Sequence, residues 1–177
     1  MDLVHAPPRR PPLGFGHYLR DFVYGSLDGV ITTLAVITGS TGAQLPVRIG
    51  IILGLANLVA DGLSMGASNY LGLKSELEQT GESVLDEEPW RHGLATLAAF
   101  VLVGSVPLGG YALAHLWNVP PVFPAIVLAA AALAAAGVAR APFVRRSAWL
   151  SGFEMIAVGV LAGGAAYLVG LVAAAFV

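Results

Sequence analysis

Five apolar stretches of membrane-crossing length organise this chain, near 20–43, 47–72, 93–117, 121–139 and 148–176. A helix needs about 20 apolar residues to cross the hydrocarbon core of a bilayer, and each stretch approaches or exceeds that length. Prolines and polar runs cut them apart. Pro46 separates the first two, and the run from Lys74 to Arg91 separates the second and third. Pro120, Pro121 and Pro124 cut the third from the fourth, and Pro142 with Arg145 and Arg146 cuts the fourth from the fifth. Proline lacks the amide hydrogen that a helix interior uses, so it collects where one helix stops and another starts. The pattern predicts an all-α integral membrane protein: five transmembrane helices in one domain, 18–177, with a short acidic loop at 73–92. Residues 1–17 carry many prolines and no apolar core of a secretory signal. They read as a disordered lead on the cytoplasmic side.

Composition supports the membrane reading. The 177 residues are 56% hydrophobic and only 11% charged, where a soluble domain carries about 25% charged residues. A net charge of −2 says nothing about nucleic acid, and no basic block is long enough to suggest it as a partner. With no cysteine, thiolate metal sites, disulfides and cysteine nucleophiles are excluded. A metal site here must use carboxylate, imidazole, carbonyl, hydroxyl or thioether. Lysine and arginine set the expected orientation. With a cytoplasmic N-terminus, the inside holds Arg9, Arg10, Arg20, Lys74, Arg91, Arg140, Arg145 and Arg146, and the outside only Arg48. Five spans then leave the C-terminus outside or luminal. The Ala-rich composition and the lack of a targeting segment favour a bacterial plasma membrane, with a vacuole-type organelle membrane as the alternative.

The chemistry lies in two acids at mid-span. Asp28 interrupts the first stretch and Asp61 the second. An ionised Asp near the bilayer centre costs roughly 2.5–3.5 kcal/mol on insertion scales, so such residues face a bundle interior or a watery path and usually serve transport. In the first span His17, Asp21, Tyr24, Asp28 and Thr32 recur at helical spacing and predict one polar stripe. In the second, Asn57, Asp61, Met65 with Ser64, and Ser68 form another. Carboxylate and carboxamide oxygens suit divalent ions, and a thioether adds a soft contact that Mg²⁺ and Ca²⁺ do not want. The mixture favours ions like Fe²⁺ or Mn²⁺. Gly50 with Gly54, and Gly159 with Gly163, offer small surfaces for helix packing. The acidic loop holds Glu76, Glu78, Glu82, Asp86, Glu87 and Glu88. It reads either as a solvated face or as a weak collector of divalent ions. Glu154 relays protons or pairs with Arg145 or Arg146, the second being favoured.

At this point the residues resemble a family. RDFVYGSLDGVITTLAVITGSTGA in the first span and GLANLVADGLSMGASNYL in the second are similar to the vacuolar iron transporter family. The final segment, SGFEMIAVGVLAGGAAYLVG, is similar but less diagnostic. The resemblance implies a five-span protein that exchanges Fe²⁺ or Mn²⁺ for protons. It implies that Asp28 is a membrane-embedded metal-binding acid, Met65 a metal-binding thioether, and Asp21 a carboxylate near the cytoplasmic entrance. It further implies a homodimer with the ion path between the two copies of the first two spans. Three departures stand out. Plant-type members carry a long helical cytoplasmic domain between spans two and three, where this chain has only the short acidic stretch. A membrane Glu of those members matches Asn57, with Asp61 one turn later. His17 stands where an entrance acid is common. Its ordinary pKa suits proton coupling, although a lone interfacial His is more often incidental.

The expected mechanism is alternating access. A divalent ion enters past Asp21 and sheds water onto Asp28, Asp61, Asn57 and Met65 of both subunits. Metal and proton compete for the same carboxylates. No resident cofactor is expected: the metal is cargo and the proton its counter-ion. An intramembrane enzyme fits poorly, because His5, His17, His92 and His115 read as terminal, interfacial or in loops and no HExxH motif is present. A non-transporting scaffold would leave the mid-span acids unexplained. A divalent-cation channel remains an alternative that flux under a pH gradient would separate.

Overall fold

A computed structural model describes residues 15–81, 83–143 and 145–176. The regular structure of those residues is helical throughout. A 3-10 turn, Phe15–His17, leads into α1 (Leu19–Gly42). Then follow α2 (Val47–Thr80), the short α3 (Val84–Glu87), α4 (Pro89–Leu113), α5 (Val122–Arg140) and α6 (Ala148–Ala174). The five long helices, α1, α2, α4, α5 and α6, are each long and apolar enough to cross a membrane. Pro46, Pro89 and Pro121 fall at helix starts, whereas Pro107 lies buried inside α4. Pro46 caps the start of α2, Pro121 that of α5, and Pro89 opens α4 at its first turn, where a missing amide hydrogen costs nothing.

The largest departure from the predicted boundaries is α2. The pattern ends its span at 72, but the helix continues through Thr80 and takes in residues 73–80 of the expected loop 73–92. The cause is local. Lys74 to Thr80 contains no Gly or Pro, and Lys74 reaches Glu78 across one turn at 3.8 Å, an arrangement that favours helix. Gly81 then ends it in the left-handed conformation, φ 71°, which glycine adopts without penalty. At 1.5 Å per residue the 34 residues span about 51 Å, so the helix outruns the ~30 Å hydrocarbon core. Glu76 and Glu78 therefore sit on a helix rather than in a loop. Glu82 and residues 1–14 lie outside the described residues; of the lead expected to be disordered over 1–17, Phe15–His17 instead form a 3-10 turn.

Glycine contacts define how the helices pack. Gly25 and Gly29 of α1 lie against the α4 backbone at Thr96 to Phe100. A Cβ added at Gly104 would stand 2.8 Å from the carbonyl of Gly29, so α1 and α4 cross there nearly backbone to backbone. Gly66 of α2 meets Gly93 of α4 in the same way and Gly54 meets Leu108 further along, so those two helices run antiparallel. Gly42 meets Tyr167 of α6, and Gly137 of α5 meets Ser151 and Gly152. α1 is central and touches α2, α4, α5 and α6. One apolar cluster, including Val30, Leu34, Leu133 and Met155, joins α1 to α5 and α6. A second, including Ile37, Leu58, Phe100 and Leu108, joins α1 to α2, α4 and α5. Arg20, Lys74, Arg91, Arg140 and Arg146 gather at the end of the bundle where α1, α4 and α6 begin, called here the charged end.

Candidate functional site

The seam between α1 and α2 carries the mid-span acids. On α2, residues 57, 61, 65 and 69 recur every four positions and so share one face. Both ends of that row are tied to α1. Asn57 Nδ2 donates to Thr32 Oγ1 at 3.2 Å, and Asn69 Nδ2 donates to Asp21 Oδ1 at 2.7 Å. The helices run in opposite directions, so the levels between these two rungs follow from helix rise. Four residues inward from the first rung, Asp61 stands level with Asp28. Four inward from the second, Met65 stands level with Gly25. Asp28 and Asp61 lie within electrostatic reach of each other. Asp28, Asn57, Asp61 and Met65 are all half-buried. Thr32 Oγ1 donates its own proton to the Asp28 carbonyl at 2.9 Å, leaving its lone pairs for Asn57. The seam thus brings two carboxylates, a carboxamide and a thioether to adjacent levels. Their combined charge of −2, when ionised, matches one divalent ion.

Not every residue of the predicted stripes reaches the seam. Tyr24 is 53% exposed, with the Arg20 guanidinium 5.7 Å from its ring centre. Three residues turn a helix by about 300° rather than a full circle, which carries Tyr24 off the flank of Asp21. Ser64 and Ser68 are exposed. The row continues instead through Asn69, four residues beyond Met65.

Nearer the charged end, Asp21 is only 2% exposed and both its oxygens are engaged. Oδ1 accepts from Asn69, and Oδ2 lies 2.6 Å from His92 Nδ1. Asn69 Nδ2 also reaches Thr96 Oγ1 at 2.7 Å, and Thr96 donates to the His92 carbonyl at 3.0 Å. This network locks α1, α2 and α4 together. His92 is on a helix rather than in a loop. It lies in the first turn of α4, 7% exposed. Nor is His17 alone: its Nε2 is 3.0 Å from His92 Nε2. The sequence reading missed Asn69, His92 and Thr96. Their signals were present, as Asn69 extends the four-residue row and His92 and Thr96 share a face at four-residue spacing in an apolar helix.

The acidic stretch is largely partnered. Glu78 faces Lys74, Glu87 lies 3.6 Å from His17, and Glu88 lies 3.0 Å from Arg91. Glu154 has Arg146 on one oxygen at 2.7 Å and Arg140 on the other at 2.9 Å. Arg140, rather than Arg145, is thus its second partner, because Arg140 Nε is also held by Ser151 Oγ one turn before Glu154.

The family model described as the VIT family matches residues 19–88 and 77–171. The chain belongs to the VIT family. Curated relatives align over shorter segments. A vacuolar iron transporter from Toxoplasma gondii is 36% identical over 73 residues, which are 41% of this chain and 24% of the relative. One from Plasmodium falciparum is 44% identical over 52 residues, 29% of this chain and 19% of the relative. Vacuolar iron transporter 1 of Oryza sativa subsp. japonica is 36% identical over 76 residues, 42% of this chain and 30% of the relative. The alignments thus span less than a third of these VIT relatives' own lengths.

Proposed function

We propose that this chain is a membrane transporter that moves Fe²⁺ or Mn²⁺ out of the cytoplasm in exchange for protons. The observation that carries the reading is the pairing of Asp28 with Asp61 at one level of the α1–α2 seam, bracketed by Asn57 and Met65. Two carboxylates at neighbouring positions of one seam in membrane-spanning helices are costly without a cation near them. The names of the similar proteins, vacuolar iron transporters, agree with metal as the cargo. The charged end faces the cytoplasm in this reading, since it holds Arg20, Lys74, Arg91, Arg140, Arg145 and Arg146 while Arg48 sits at the other. The cargo enters beside Asp21 and passes to Asp28 and Asp61. Protons return on those same carboxylates.

A homodimer completes the site. One copy offers few ligands for a divalent ion, and a two-fold axis along the seam would double them. Beside the row 57, 61, 65 runs a second row, Ala56, Ala60, Ser64 and Ser68, small and exposed. Small residues at four-residue spacing allow close helix approach in lipid, which supports α2 as the dimer contact. The test is reconstitution into liposomes with a panel of divalent ions. Uptake of Fe²⁺ or Mn²⁺ accelerated by an imposed pH gradient is the expected result. Uptake indifferent to that gradient would mean a channel, and no uptake of any ion would mean a scaffold.

A further inference from the structure

We propose that His17, Glu87 and His92 form a second divalent transition-metal site at the charged end of the bundle, with Asp21 orienting His92. The site lies outside the Asp28–Asp61 seam and does not depend on transport. Its ligand atoms come from three segments: the 3-10 turn before α1, the end of α3 and the first turn of α4. One ligand atom from each lies within 4.8 Å of the others. The two imidazole Nε2 atoms are 3.0 Å apart, and His17 Nε2 is 3.6 Å from the Glu87 carboxylate. Two imidazole nitrogens bound to one ion at about 2.0–2.1 Å stand roughly 2.9–3.4 Å apart for angles between 90° and tetrahedral. The observed separation already falls in that range.

The surroundings prepare the rings for an ion. Asp21 Oδ2, 2.6 Å from His92 Nδ1, holds the proton of neutral His92 on that nitrogen. The Nε2 lone pair is then directed at His17. A carboxylate behind a histidine in this way is the usual support of a metal-bound imidazole, fixing its tautomer and raising its basicity. Asp21 is itself held by Asn69. The Tyr18 ring packs on both imidazoles, its centre 5.0 Å from that of His17 and 4.9 Å from that of His92. The side chains of His92 and Glu87 are 9% and 12% exposed while that of His17 is 29% exposed, so the group is enclosed yet reachable from one side. Two imidazoles and one carboxylate select borderline ions such as Mn²⁺, Fe²⁺, Co²⁺ or Zn²⁺ over Mg²⁺ and Ca²⁺, which prefer all-oxygen shells.

Mn²⁺ is the probe, added to the full chain in detergent. Free Mn²⁺ read by electron paramagnetic resonance gives the affinity, and electron spin-echo modulation counts imidazole nitrogens on the bound ion. The expected result is bound Mn²⁺ with nitrogen coupling that persists in an Asp28→Asn, Asp61→Asn double variant. His17→Ala should weaken that binding tenfold or more and reduce the coupling. His17 is the most exposed of the three, so its loss spares the buried network. Asp21→Asn should weaken binding by about 10–100-fold while the coupling stays, as expected of a positioning residue. Bound Mn²⁺ with no nitrogen coupling, coupling unchanged in His17→Ala, or no Mn²⁺ bound would each overturn the proposal. The two histidines would then be a structural hydrogen bond alone.

Discussion

Each of the two asparagines on the α2 row fixes one rung of the α1–α2 seam, and Asn69 is the more heavily engaged. Its amide serves the buried Asp21 and Thr96 at 2.7 Å each. Asn69→Leu should therefore destabilise the protein by about 1–3 kcal/mol, the cost of leaving buried polar partners unsatisfied. Thermal unfolding in detergent measures it, with the exposed Gln79→Ala as a control expected within about 0.5 kcal/mol. At this scale the sequence was informative where periodicity within one helix carried the message. The shared face of Asn57, Asp61 and Met65, and the stripe that carries Asp28, were legible because residues four apart lie on one side of a helix. Asp21 with His92 was not, because that bond joins residues 71 positions apart. Spacing along a single helix says nothing about which histidine another helix supplies.

Among the helices, α1 and α4 depend on glycine for their crossing. A Cβ at Gly29 would run into the Phe100 backbone, which has no flexible end to yield. Gly29→Ala should cost about 1–3 kcal/mol through overpacking. Gly109 has nothing within 4 Å of an added Cβ, so Gly109→Ala should gain up to about 1 kcal/mol from helix propensity alone. Chemical or thermal denaturation of the two variants side by side checks the contrast, and equal effects would contradict the packing described. The five spans were readable because hydropathy and proline report directly on lipid and helix ends. The extension of α2 to Thr80 was not, because a charged helix beyond the bilayer has no hydropathy signal. Its marks were the Lys74–Glu78 pair and the delay of the first glycine stop until Gly81. Nor could hydropathy tell which of the many glycines meet a neighbouring backbone, since that depends on which helices become partners.

For the whole molecule, the central question is what covers the exposed small row of α2. The chain has no cysteine, so a single introduced thiol reports its own neighbours. Ala60→Cys in native membranes should yield a dimer with a short thiol cross-linker, because the proposed two-fold pairing along the seam would bring the two copies of that row together. Leu161→Cys, on the exposed face of α6 and 73% exposed, should stay monomeric. The reverse pattern would place the dimer contact on α6 and leave the seam unshared.

The most direct measurement is Fe²⁺ and Mn²⁺ uptake by liposomes carrying the wild-type chain or Asp28→Ala, with equal protein inserted. The acid pair predicts that the substitution abolishes uptake while the helical content is preserved, because one of the two carboxylates at that level of the seam is gone. Uptake by Asp28→Ala at the wild-type rate would contradict the account, since the ion would then be crossing without that carboxylate.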